Sequence, residues 1–164
     1  MKLVTTLSLE KAALIVDEIL VIGRRESMLP LTAVALDAGG KIIATKSEDG
    51  SGLLRFNVAH GKAWGALGMG ISSRLIRDRL SARPAFQNAL AAASDGQLIP
   101  VPGGVLIMDD EGQVIGAVGV SGDTSEKDEY AAITSIQAVA LKSEPAEADN
   151  GWKTSSLSDH ELTA

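Results

Sequence analysis

The stretch from Val101 to Asp123, VPGGVLIMDDEGQVIGAVGVSGD, limits what this chain can fold into more than any other. Val105 to Met108 make one apolar run, and Val114, Ile115, Ala117, Val118 and Val120 make a second, with Asp109, Asp110, Glu111 and Gly112 between them. Two β-rich runs joined by a few Asp and Gly residues predict a hairpin. The second run carries Gly116, Gly119 and Gly122 at every third position, and Gly103 and Gly104 stand just before the first. Interior glycine weakens a strand, because it has no side chain to pack and more entropy to lose, so something approaches this backbone closely. A neighbouring helix, a strand of another subunit and a flat ligand all fit.

A second glycine series lies upstream. Leu53 to Gly68 reads LLRFNVAHGKAWGALG, with helical spacing through Phe56, Ala59, Ala63 and Leu67 and with Gly61, Gly65 and Gly68 at i, i+4 and i+7. Each interior glycine costs a helix about 1 kcal/mol relative to alanine, so this helix too is expected to press its backbone on a neighbour. Contact between subunits through these glycines and those of the hairpin is one way to use both series, and it predicts a homo-oligomer.

The remaining elements follow from periodicity and punctuation. Ser8 to Met28 has a wide apolar helical face, Ser8 as N-cap, and Pro30 beyond its end. Leu31 to Asp37 and Lys41 to Lys46 form another hairpin around Ala38, Gly39 and Gly40, followed by the polar loop KSEDGSG, which holds Asp49. Short helices are expected from Ser72 or Ser73 to Arg79 and again from Pro84 to Asp95. Leu98 to Val101 is expected as an edge strand, and Ser125 as the cap of a last helix through Val139. Two hairpins without βαβ alternation indicate an α+β sandwich with a mainly antiparallel sheet.

The chain has 164 residues, 45% of them apolar, which fits one domain with a full-sized core. Its boundary is placed at residue 142, with residues 143–164 as a flexible acidic tail in which Trp152 and Leu157 are the exceptions able to dock. Five of the acidic residues fall in that tail against Lys153 alone, which accounts for four of the six net negative charges. The near-neutral body has no basic footprint for phosphates, so nucleic acid is not expected as a partner. No apolar run reaches the length of a membrane span, and charges at Glu10, Lys11, Asp17 and Glu18 interrupt any signal-peptide core, so a cytoplasmic location away from the membrane is expected. Without cysteine there is no disulfide framework and no thiol nucleophile.

VALDAGGKIIA, the EDGS loop, NVAHGKAW, VPGG and VIGAVGVSG occur in an order and at spacings that resemble the GlcG/HbpS family. Asp37, Gly39 and Gly40 match its first hairpin, Asp49 and Gly50 its loop, Ala59, Lys62 and Ala63 its helix, and Gly103, Gly104, Gly116, Gly119, Ser121 and Gly122 its second hairpin. Ser47 stands where the family commonly has arginine, Arg55 where it has a small hydroxyl residue, and Leu106 where it often has proline. The resemblance covers about Leu9 to Leu141. It implies a profilin-like sandwich of five antiparallel strands with flanking helices, assembled into homo-oligomers, and heme or a related tetrapyrrole as the ligand.

Heme iron takes an axial donor, most often imidazole, and the chain has only His60 and His160. His60 is the candidate iron ligand. The expected small-molecule site lies where His60 and Lys62 of the glycine-bearing helix face Gly103, Gly104 and Ser121 of the hairpin, with Asp49 on the loop nearby. Nothing in the spacing makes a nucleophile elbow or a metal-ligand set, and the glycines of GAVGVSG lie within a strand rather than at a strand-to-helix turn that would hold a dinucleotide. An enzyme or accessory protein acting on a small carboxylate or aldehyde, and a structural assembly subunit, stand as the other two function classes.

Overall fold

Both hairpins are turned by the same device. In the computed structural model, which describes residue 1 and residues 3–157, β1 (Thr32–Asp37) and β2 (Ile42–Ser47) are joined by a turn in which Asp37 Oδ1 accepts from the amides of Gly39 and Lys41, both at 2.9 Å, and Gly40 takes the positive φ of 83°. Strands β3 (Gly104–Met108) and β4 (Val114–Ser121) repeat it with Asp109 Oδ1 on the amides of Glu111 and Gln113 and Gly112 at φ 81°. Asp hydrogen-bonding the backbone two and four residues on, with glycine supplying the left-handed conformation, is the turn chemistry the sequence carries.

The sheet is antiparallel, with strand order β2-β1-β4-β3-β5. Its alternating residues divide the core. Ala33, Ala35, Val105, Ile107, Val118 and Val120 point to one face, where α1 (Leu9–Arg25) and α5 (Ser125–Ala138) cover them with Ile15, Ile19, Ile22, Ala132 and Ile136. Val34, Leu36, Leu106 and Ala117 point to the other, under Ala59, Ala63 and Ala66 of α2 (Arg55–Met69). The α+β sandwich with five antiparallel strands is thus the architecture. Helices α3 (Ser73–Leu80) and α4 (Pro84–Ala93) follow, and α4 buries none of its residues. Ser8 and Ser72 cap α1 and α3, whereas α5 is capped by Thr124, whose hydroxyl accepts from the Lys127 amide, rather than by Ser125.

Two expectations need correction. The segment Leu98–Val101 is not a strand; the Ile99 amide donates to the Gly61 carbonyl and Leu98 packs on Gly65, so it runs along α2. The fifth strand is instead β5 (Lys142–Glu144), paired with β3. The domain therefore does not end at residue 142, and the first part of the supposed tail is docked. Trp152 in a 3₁₀ turn (Trp152–Thr154) stacks on Tyr130 with ring centroids 3.6 Å apart, and Ser155 shares a hydrogen bond with Thr124. Residues 158–164 of that tail lie outside the described residues, as does His160.

The sheet glycines are used inside the chain, not between subunits. A Cβ added at Gly119 would fall on the Ala59 carbonyl of α2, one at Gly104 on the Lys62 carbonyl, and Gly104 and Gly119 are paired across β3 and β4. The neighbouring helix is what approaches. Gly61 is filled by Gln97 and Ile99, Gly65 by Leu98, and Gly122 by Pro30 and Leu31. Gly68 has nothing within 4 Å. Gly119→Ala is accordingly expected to lower stability by about 3 kcal/mol or more, the upper end of overpacking costs, while Gly68→Ala raises it by up to about 1 kcal/mol through helix propensity. Urea unfolding of the two variants should move the midpoint in opposite directions.

Candidate functional site

Lys62 is the only charged residue in α2 beyond Arg55 at its start, and no acidic side chain lies within the helix to pair with it. The structure buries it to 2% exposure. Its Nζ donates to the Val120 carbonyl and to Asp128 Oδ2, both at 2.9 Å, and Asp128, 1% exposed, also accepts from the Asp123 amide at 3.1 Å. Burial pushes the Asp128 carboxyl above its ordinary range against the pull of Lys62. This pair ties α2, the end of β4 and the first turn of α5 together at one point. Asp128 is invisible as a partner in the sequence, where it reads as one of several acids suited to the helix dipole; the usable signal was a lysine in an alanine- and glycine-rich helix with no local counter-ion.

The site expected from sequence is half assembled. Lys62, Gly103, Gly104 and Ser121 do come together, since Gly103 accepts from the Val120 amide and its α-carbon lies against the Lys62 side chain. They enclose one another. The Ser121 hydroxyl is fully buried and accepts from Arg55 Nη1 at 3.3 Å, and Lys62 has no free approach for a solute. His60 does not face them: two residues before Lys62 at 100° per residue, it lies on another side of α2. Asp49 is exposed and borders an open cleft with Arg24, Pro30, Ser47 and Glu48; the loop residue that reaches this polar row is Ser51, bonded to Thr32 at 2.7 Å opposite Ser121. Asp123, whose burial pulls upward but is outweighed by the amides of Leu29 and Thr124 and by Lys127, stays ionised at α5's start as a structural carboxylate.

His60 belongs to a different feature. Phe56, His60 and Trp64 stand four residues apart along one flank of α2, with the Phe56 and His60 rings stacked at 6.1 Å between centroids. Trp64 lies over the β1–β2 turn at Gly40 and, with Leu67 and Gly68, borders a hollow of about 200 Å³ there. The sheet is bare along this flank: Ile42, Thr45 and Ser47 of β2 are exposed although their partners Leu36, Val34 and Thr32 are buried under α2. Burial lowers the pKa of His60 below the usual 6.5, so its imidazole is neutral at pH 7. It makes no hydrogen bond among the described residues. No group of three or more His, Asp or Glu able to hold a metal ion occurs among the described residues, and no helix in them is long and apolar enough to cross a membrane.

Residues 7–137 match the profile of the family described as haem degrading protein HbpS-like. The chain belongs to that family. Solved structures of the same fold include a PduOC:heme complex, at 24% identity over 84% of this chain and 98% of that one with a TM-score of 0.76, and the Klebsiella pneumoniae protein ORFY, at 24% over 85% and 94% with a TM-score of 0.75. A double mutant of Streptomyces reticuli HbpS aligns at 19% identity over 84% and 90% with a TM-score of 0.70. No curated protein matches.

The enclosed geometry makes Lys62 a structural cation of this HbpS-like chain. Lys62→Met leaves Asp128 buried without its partner and is expected to cost about 3–5 kcal/mol, while adding Asp128→Asn to that background recovers most of the loss. Denaturant unfolding of the single and double variants measures both.

Proposed function

We propose that this protein is an oligomeric ligand-binding module for heme or a related tetrapyrrole, held against the Phe56–His60–Trp64 flank of α2 with His60 as the iron donor. The observation that carries the reading is the composition of that flank. The chain has five aromatic residues in all, and two of them bracket the neutral, half-buried imidazole, which has no hydrogen-bond partner among the described residues. A flat apolar ring needs such faces, and iron needs a deprotonated nitrogen. A fold relative whose printed name is a heme complex supports the same ligand class.

The hollow at Trp64 is smaller than the roughly 300–1,000 Å³ of enclosed small-molecule sites, so the ligand would lie on an open strip. The reading includes self-association from this side: a second copy placed over the bare edge of β2 would supply the missing wall. Iron coordinated by imidazole would give the bound group its redox and ligand-exchange chemistry; the chain's own residues bind and orient it.

Heme titration followed in the Soret region tests the proposal. Saturable binding at no more than one heme per protomer is expected, with the band shifted or lost in His60→Ala and affinity reduced several-fold in Phe56→Ala. Absence of saturable binding, or a band indifferent to His60→Ala, overturns the assignment of the donor. Light scattering should show an oligomer in the micromolar range; a monomer with and without heme would remove the shared-wall part.

A further inference from the structure

Glu129 is a carboxylate without a hydrogen bond in the interior of the protein. It sits in α5 at 0% exposure, and neither oxygen has a hydrogen-bond partner among the described residues. Among the described residues the one cation in reach is Arg74 of α3, whose Nε lies 3.3 Å from Oε1, outside hydrogen-bonding alignment. An unpartnered buried polar group costs about 1–3 kcal/mol, more when charged, so such an arrangement needs a reason.

Arg74 also holds the segment that follows β5. Its Nη2 donates to the Glu147 carbonyl at 2.8 Å, so one guanidinium bridges Glu129 and the strap formed by residues 142–157. The strap is fastened elsewhere by separate contacts: Gln137 to the Ala146 carbonyl, Glu144 to the Ser72 amide, and Trp152 on Tyr130. The charged groups acting on Glu129 are Arg74 and Arg77 from α3, Glu126 from its own helix and Asp149 from the strap. Arg77 is shared with Glu126 at 3.5 Å, and the two acids repel an ionised Glu129.

We propose that Glu129 and Arg74 form a proton-controlled latch on the C-terminal strap, closed while the carboxyl keeps its proton and loosened when it ionises. Among the described residues the docked state gives an ionised Glu129 no aligned hydrogen-bond donor, and the charge of Asp149 opposes it; an open strap admits water. Burial, only partly offset by the two arginines, raises the group from its usual 4.5 to about 7. The sign follows from linkage. The docked form binds the proton more tightly than the open form, so docking weakens as pH rises from the ordinary carboxylate range through the raised value, and the change levels off above it. With those two values the open fraction of the strap rises about tenfold between pH 6 and pH 8. The latch is separate from the α2 flank and does not depend on what that flank binds.

Hydrogen exchange of the full chain, corrected for the intrinsic pH dependence of exchange, tests this. Protection of peptides from 142–157 should fall about tenfold from pH 6 to pH 8 while α1 peptides hold theirs, and Glu129→Gln should show one level at both, above that of the unaltered chain at pH 6. Strap protection that is absent at pH 6, or unchanged between the two pH values, or that still falls tenfold in Glu129→Gln, overturns the latch. If the variant does not fold, the carboxyl ¹³C shift of Glu129 in the unaltered chain decides: a midpoint near 7 is expected, and one in the ordinary carboxylate range overturns the proposal.

Discussion

Helix α2 lies so close to the sheet that its own carbonyl groups, at Ala59 and Lys62, fill the space above Gly119 and Gly104 where side chains would otherwise stand. At that separation the helix presents alanine to the sheet, and Ala59, Ala63 and Ala66 pack on Val34, Leu36, Leu106 and Ala117. The closeness also decides the fate of Lys62. Its stem has no room to turn outward, and its ammonium ends beneath β4, where Val120 and Asp128 receive it. A buried pair of this kind adds little net stability relative to apolar packing, but removing one partner strands a charge, and so it fixes α2, β4 and α5 in a single relative placement.

The two hairpins and five helices could be read from the sequence because each rests on local chemistry: Asp37 and Asp109 capping their turns, Gly40 and Gly112 in the left-handed conformation, Ser8, Ser72 and Pro84 opening helices. The glycine series was legible as a sign of close approach but not as to what approaches, since bare backbone carries no mark of its partner. The fifth strand was misplaced for a related reason. Leu98 to Val101 has the apolar character of a strand, yet Gly61 and Gly65 open a trough on α2 that takes it, while Lys142–Glu144 is polar and short and becomes a strand only because β3 has a free edge beside it.

The site residues show the same division. Lys62, Gly103, Gly104 and Ser121 lie together in space, but the grouping is a packing solution whose counter-ion, Asp128, lies 66 residues from Lys62. Tertiary pairing at that range leaves no spacing pattern. His60 stood out in the sequence as a candidate donor, whereas Phe56 belonged to the helical apolar spacing; that Phe56, His60 and Trp64 together flank an uncovered margin of the sheet depends on β2 extending beyond the helix.

The strand order also bears on how this chain reaches its native state. Strands β1 with β2 and β3 with β4 are neighbours in sequence and can close on the microsecond scale of hairpins. The sheet becomes one body only when β1 meets β4, a pairing of Thr32 with Ser121 that encloses some ninety residues, α2 among them. Loop closure over that span precedes any gain from it, so the search for this contact sets the pace. Before it forms, α2 meets the bare backbone of the β3–β4 half without Val34 and Leu36 of β1 to complete its core, and its own glycines favour the unfolded chain. The helix that the finished fold is built around is thus among the last parts to become stable, and the step that stabilises it is the union of two preformed halves.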